Sequence, residues 1–205
     1  MQALIASIIL SASLSATLLA DETTWIEFSS PNKQYAIRMQ EGYAIGNCRY
    51  NHAQLIERKT GKLLYDFGPE HSASFDLGGY DQDSVVWSSD SIFVAVYFHS
   101  HRVGEPLVVQ ILPKAVHKCT IPEILLPFEK SLKGNPRYNL RYVSDWLKPI
   151  KWNNRRILLL TDSGVIQNQT LDGFTINYLY DLQLQFDQDG NGRLLSVKQQ
   201  QFSKE

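Results

Sequence analysis

Short apolar runs separated by polar turns make up most of the chain. Several runs are rich in β-branched or aromatic residues, which is typical of strands. They lie at residues 34–39, 53–58, 62–67, 92–98, 107–112 and 156–161. Residues 177–186 alternate polar and apolar positions, which predicts a half-buried antiparallel strand. The pattern therefore predicts an all-β protein.

A helix fits only in the middle of the chain. Thr120 and Glu123 have the spacing of a capping box, but Pro127 interrupts that helix within two turns. Proline is favoured in the first turn of a helix and glycine just after its end. The sequence therefore predicts a short helix from Pro127 to Lys133, ended by Gly134.

One segment recurs along the chain. WSSDSIFVAV from Trp87 aligns without gaps with FSSPNKQYAI, which begins 59 residues earlier at Phe28, and WNNRRILLL begins 65 residues later at Trp152. Each copy has an aromatic residue at a strand end, a polar turn and an apolar strand, and a second hairpin follows. This repeat predicts three four-stranded antiparallel units, at about residues 24–68, 83–120 and 147–201, with an insert at residues 121–146.

The second unit resembles a blade of the TolB-type or WD-like β-propeller repeat family. The resemblance is carried by W-S-x-D-S from Trp87, within residues 83–98, and by T-G-K from Thr60 in the first unit. It implies that the aromatic residue packs between neighbouring blades and that the strand after the turn is buried between sheets. Because propellers close with four to eight blades, three units imply a small or incomplete propeller, and a β-sandwich is the alternative.

The N-terminal segment has the pattern of a signal peptide. Residues 1–20 contain no charged side chain, and acidic residues begin at Asp21. We expect cleavage to leave a single domain at residues 21–205, secreted or periplasmic, without a stable membrane span. The apolar run is nearly long enough to cross a bilayer, so an uncleaved anchor is an alternative, as is a start codon placed too early.

Composition narrows the function classes. The 205 residues are 43% apolar and 20% charged, as in ordinary globular proteins. The net charge of −1 provides no positive field to attract nucleic acid. The sequence contains no P-loop, dinucleotide fingerprint, zinc-protease motif or serine-hydrolase motif, so it predicts no cofactor and no catalytic residues.

Cys48 and Cys119 are the only cysteines of the chain. An even number of cysteines in an exported protein allows a disulfide between them. The alternative is two separately buried thiols, since free cysteine behaves as a small apolar residue.

Two motifs have metal-ligand spacing. Residues 187–192 resemble the start of an EF-hand calcium loop, in which the candidate ligands are Asp187, Asp189 and Asn191. Lys198 stands where that loop needs a glutamate, so a hairpin turn is favoured. His99 and His101 share one side of a strand and could begin a transition-metal site, but their spacing defines only two ligands.

Residues 134–149 interleave arginines with large aromatic residues. The candidate binding surface consists of Arg137, Tyr138, Arg141, Tyr142 and Trp146. At helical spacing the three aromatic residues would share a face, and such residues are enriched at binding hot spots. The alternative is that they pack the insert onto the core.

Two functions are consistent with these patterns. The sequence favours an exported, non-catalytic binding protein that engages a protein or glycan partner through loops at one end of its strands. The alternative is a secreted or periplasmic hydrolase with carboxylates dispersed on loops, for which Asp81, Asp83 and Asp90 are available. Two convergent carboxylates of perturbed pKa would favour the enzyme, and a shallow aromatic surface would favour binding.

Overall fold

The computed structural model describes most of the chain after the predicted signal peptide, which lies outside the described residues. It covers residues 25–45, 48–68, 85–99, 103–132, 135, 138–170 and 173–205. The regular structure of these residues consists of strands and one short helix, so the all-β prediction is confirmed. Within these ranges, no helix has the length and apolarity that a membrane crossing requires.

In the described ranges, twelve strands form three successive antiparallel meanders. The first contains β1 (Trp25–Ser29), β2 (Tyr35–Ile45), β3 (Cys48–Glu57) and β4 (Lys62–Asp66). The second contains β5 (Val85–Trp87), β6 (Phe93–His99), β7 (Val103–Ile111) and β8 (Val116–Lys118). The third contains β9 (Leu140–Trp152), β10 (Ile157–Asn168), β11 (Thr175–Phe186) and β12 (Gly192–Lys204).

The second and third meanders belong to one mixed sheet of eight strands. They are joined where β7 pairs with β9 in parallel, through Val103 with Asp145 and Gly104 with Trp146. The helix α1 (Pro127–Leu132) lies in the connection between the two meanders. Its bounds agree with the predicted helix.

The third unit begins earlier than predicted, at Leu140 instead of residue 147. Residues 140–146 are a strand and not part of a helical insert, because they continue the pairing of β9 with β10. Two register shifts interrupt this pairing, opposite Leu159/Leu160 and Val165/Ile166. These irregularities break the alternation that would have identified the strand from sequence.

Strand β6 is buried on both faces, which explains its uninterrupted apolar run. Phe93 and Ala95 pack into the core that the third unit forms with α1. Val94, Val96 and Phe98 pack into a second core, shared with the first unit. The middle unit therefore separates the two cores.

The first two turns of the repeat have the same hydrogen bonds. Ser30 and Ser88 each accept from the strand residue five positions later, Tyr35 and Phe93, at 3.0 and 2.9 Å. Lys33 and Ser91 occupy the same place in these turns and both have positive φ, 58° and 62°. Equivalent residues of the first two turns are therefore 58 positions apart in the chain, one fewer than in the gapless alignment. Ser29, and not Phe28, is the structural equivalent of Trp87.

Candidate functional site

Three carboxylates and two tyrosines meet near the junction of the second and third units. We call this group the carboxylate–tyrosine cluster; its members are Glu129 of α1, Asp145 of β9, Asp162 of β10, Tyr97 of β6 and Tyr178 of β11. None of these residues was singled out by the sequence. The cluster is the most unusual chemical environment among the described residues because it places acidic groups against an apolar core.

Strand alternation places Asp162 on the buried face of β10. Leu158, Leu160 and Ile166 share that face and are fully buried. Gly164 also lies there, opposite both Asp145 and Tyr178. A Cβ atom at Gly164 would lie 2.6 Å from the Tyr178 hydroxyl and 2.3 Å from the Ser144 carbonyl oxygen. The glycine therefore makes the space in which Tyr178 reaches Asp145.

Asp162 is the most deeply buried acid of the cluster, with only 7% of its surface exposed. Asp145 and Tyr178 lie near its carboxyl, but its Oδ1 atom has no hydrogen-bond partner within the described part of the chain. Burial, followed by the charges of Asp145 and Glu129, raises the pKa of Asp162 to about 7. The Asp162 carboxyl is therefore protonated below that pH, which limits its repulsion by the neighbouring carboxylates.

Both tyrosines lie close enough to Asp145 to be affected by its charge. The Tyr178 hydroxyl donates to Asp145 Oδ1 at 3.0 Å. Burial and the charges of Asp162 and Asp145 raise the pKa of Tyr178 far above its usual range, so this hydroxyl remains a donor. Burial, with a smaller effect of Asp145, raises the pKa of Tyr97 to about 12.

Glu129 connects α1 to the cluster. Its Oε2 atom accepts a hydrogen bond from the Leu126 backbone nitrogen at 2.8 Å, and its Oε1 atom accepts from the Tyr142 hydroxyl. The neighbouring Phe128 ring packs against Tyr178, with ring centroids 5.2 Å apart. The helix is therefore attached to β9 and β11 through side chains.

The arrangement can hold and release a proton near neutral pH. A buried carboxyl with a pKa near 7 can serve as a general acid or base, or can report pH through a conformational change. Within the described residues, no three His, Cys, Asp or Glu side chains are placed to hold a metal ion.

The predicted aromatic surface is divided by the structure. Tyr142 pairs with Ile166 and Trp146 with Ser163, and these positions lie on opposite faces of β10. Tyr138 packs edge-on against Phe174, with centroids 5.4 Å apart. Arg141 is exposed, and Arg137 lies outside the described residues. The five residues therefore do not form one face, because β9 is a strand.

Tyr142 nevertheless belongs to an exposed aromatic surface. It is 46% exposed, and Phe202 of β12 is 37% exposed. The two side chains contact adjacent residues of α1, since Tyr142 binds Glu129 and the Phe202 ring lies 5.6 Å from that of Phe128. We call Tyr142, Phe202 and Glu129 the α1 surface.

Residues 187–191 form the hairpin turn between β11 and β12. Asp187 Oδ1 accepts from the backbone nitrogens of Asp189 and Asn191 at 2.9 and 2.8 Å, and Oδ2 accepts from the Asn191 side chain at 3.2 Å. These bonds, chiefly the one from the Asn191 backbone, lower the pKa of Asp187. Both carboxylate oxygens are used by the turn, in agreement with the favoured interpretation.

The other predicted sites are partly outside the described residues. His101 and the His99 side chain lie outside them, as do Asp81 and Asp83. Asp90 accepts a hydrogen bond from the Ser88 hydroxyl at 2.7 Å, so its carboxylate belongs to the polar turn of the second unit.

Cys119 is a free and buried thiol, which disagrees with a disulfide to Cys48. The Cys48 side chain itself lies outside the described residues. Cys119 packs in the core beneath the third unit, where a small apolar side chain fits.

The cluster could have been found from one signal in the sequence. The alternation of Leu158 and Leu160 continues in phase through Asp162 to Ile166, which places one acid in an apolar series. Its partners Asp145 and Glu129 carry no comparable signal, because their approach depends on the pairing of β9 and on the position of α1.

Comparison with known proteins leaves the family open: no protein-family model matches the chain, and no curated protein matches it.

Proposed function

We propose that this protein is an exported, non-catalytic binding protein that holds a protein or glycan partner at the α1 surface. The observation that carries the proposal is the pair of exposed aromatic side chains, Tyr142 and Phe202, on either side of α1. Amphipathic aromatic side chains provide large contact areas at little entropic cost and are enriched at binding sites. The adjacent Glu129 adds a hydrogen-bond acceptor.

A double variant tests this surface. Tyr142→Ala with Phe202→Ala removes both aromatic contacts. The matched control is Ile150→Ala with Leu195→Ala, since these residues lie on the same two strands and are 47% and 41% exposed.

The full chain is cross-linked in cells, and each recovered protein is purified for a direct affinity measurement; glycans are screened on an array. We expect the α1-surface variant to lose at least tenfold in affinity and the control to bind as the wild type does. Equal binding by both variants would contradict the proposal.

We infer that the three meanders stack as propeller-like blades. Three observations support this inference. The strands of each meander are neighbours in chain order, the first two turns have the same hydrogen bonds, and the strand after the second turn is buried between two cores. A crystal structure with the three meanders arranged around a common axis would support the inference. Two sheets facing each other across one core would instead show the β-sandwich.

Export is proposed from the uncharged N-terminal segment followed by Asp21. N-terminal sequencing of protein recovered from the medium or the periplasm tests it. A mature chain that still begins at Met1 would contradict cleavage.

A hydrolase is the second candidate, and the Asp145–Asp162 pair is the observation that favours it. Two neighbouring carboxyls, one of which has a raised pKa, are one arrangement for general acid–base catalysis. Here they lie on strands and not on the loops expected from sequence. Glycoside and peptide substrates test this candidate. Hydrolysis by the wild type that is abolished in Asp145→Asn, with an unchanged far-UV circular dichroism spectrum, would favour it.

A further inference from the structure

Three acidic groups from three different elements converge on one buried position. Asp162 of β10 is faced by Asp145 of β9, by Glu129 of α1 and by Tyr178 and Tyr180 of β11. Among the described residues, the charged groups that act on Asp162 are both carboxylates. Protonation of Asp162 therefore limits the repulsion between these groups.

Loss of the proton changes the cluster in two ways. The ionised Asp162 carboxyl can no longer donate a hydrogen bond, and it adds a negative charge to those of Asp145 and Glu129. The Oδ1 atom of Asp162 already has no partner in the described part of the chain, so the new charge is poorly compensated there.

The helix is the element that can move most readily in response. Strands β9 and β10 pair with each other along their length and also with β7 and β11. The helix α1 has only six residues; Glu129 and Phe128 contact β9 and β11, and Leu132 packs partly buried on the same core. Displacing Glu129 costs fewer backbone hydrogen bonds than separating two strands.

We propose that the carboxylate–tyrosine cluster is a proton-dependent latch, which holds α1 against the third unit when Asp162 is protonated and loosens it when Asp162 is ionised. Because burial raises the pKa of Asp162 to about 7, the transition falls near neutral pH.

The latch gives the binding surface a means of regulation. Tyr142 and Phe202 both contact α1, so loosening of the helix changes the geometry of the α1 surface. This consequence rests on the proposed binding function, whereas the latch itself does not.

Hydrogen exchange of the free full-length protein tests the latch without a partner. Mass spectrometry measures how strongly the backbone amide hydrogens of residues 125–132 are protected from exchange between pH 5.5 and 8.5. The exchange rates are corrected for the intrinsic pH dependence of amide exchange. We expect protection in the wild type to fall at least tenfold across this range. Protection that does not change with pH would overturn the proposal.

Variants assign the effect to the cluster. Asp162→Asn and Glu129→Gln should each make protection of residues 125–132 independent of pH. Asp181→Asn is the matched control, since Asp181 lies on the opposite face of β11 and should retain the wild-type profile.

A wild-type profile in folded Asp162→Asn would overturn the proposal. If that variant does not fold, Glu129→Gln gives the same test from the helix side. Failure of the latch leaves the affinity test of Tyr142 and Phe202 unaffected, so the two proposals can fail separately.

Discussion

The indole nitrogen of Trp87 donates a hydrogen bond to the carbonyl oxygen of Phe28, 59 residues earlier, at 3.1 Å. Trp152 makes the corresponding bond to the carbonyl oxygen of Val86 at 3.0 Å. Phe28 and Val86 occupy equivalent positions of their hairpins, two residues before the turn serine. Each tryptophan therefore ties its unit to the same point of the preceding unit.

Loss of either indole donor should destabilise the protein. Trp87→Phe and Trp152→Phe keep an aromatic ring but leave a partly buried carbonyl without its donor, so each should lower the free energy of unfolding by about 1–2 kcal/mol. Denaturant titration measures the change. Trp146→Phe is the control, because the Trp146 indole has no hydrogen-bond partner among the described residues, and an equal loss there would contradict the explanation.

Stability should fall as pH rises from about 4 towards 8. The folded-state pKa of Asp162 is raised to about 7, above its ordinary value. Its stabilising contribution to the free energy of unfolding is therefore fully present below about pH 4. That contribution is lost as pH rises towards 8 and amounts to at most about 4 kcal/mol. Chemical denaturation at several pH values should show the loss in the wild type and a flatter profile in Asp162→Asn. If Asp162→Asn were less stable than the wild type at pH 8, the pH dependence could not be assigned to Asp162.

Gly164→Ala should be strongly destabilising. Its Cβ atom would lie 2.3 Å from the Ser144 carbonyl oxygen, and backbone cannot move aside as a flexible side chain can. We expect a loss of about 2–3 kcal/mol in the free energy of unfolding, measured by denaturation. Ser163→Ala, one residue away on the opposite face, should change it by less than about 0.5 kcal/mol. A similar, small effect of both substitutions would show that the glycine is not required.

The fold was predictable where hydrophobic alternation and repetition were clear. The apolar run at β6, the alternation of β11 and the Pro127 helix start each reflect a local preference that the tertiary structure retains. Strand β9 was missed because arginines, large aromatic residues and two register shifts hide its period.

The site was largely unpredictable for a different reason. Glu129 and Asp145 are polar residues in polar stretches, and only the register of β9 with β10 brings Asp145 near Asp162. Tyr97 comes from another unit altogether. Such a cluster is defined by contacts between elements, which a periodic pattern within one element does not contain.

Asp187→Ala should weaken the hairpin between β11 and β12. It removes the acceptor of three hydrogen bonds, two of them from turn backbone nitrogens. We expect a lower thermal midpoint than for Asp189→Ala, whose side chain has no hydrogen bond among the described residues. Because both Asp187 oxygens serve the turn, millimolar calcium should leave the wild-type midpoint unchanged. A calcium-dependent rise that Asp187→Ala abolishes would instead identify an ion site.

Cys119 should react slowly with thiol reagents in the folded protein. Burial, with a smaller effect of the Asp187 charge, raises its pKa to about 12, so little thiolate forms at pH 8. In a Cys48→Ser variant, which leaves Cys119 as the only thiol, we expect reaction with Ellman's reagent to be about 10³-fold slower than for an exposed cysteine. Denaturant should restore the ordinary rate. Rapid reaction of the folded variant would contradict the buried position, and a Cys48–Cys119 peptide in a non-reducing digest of the wild type would show that the disulfide forms after all.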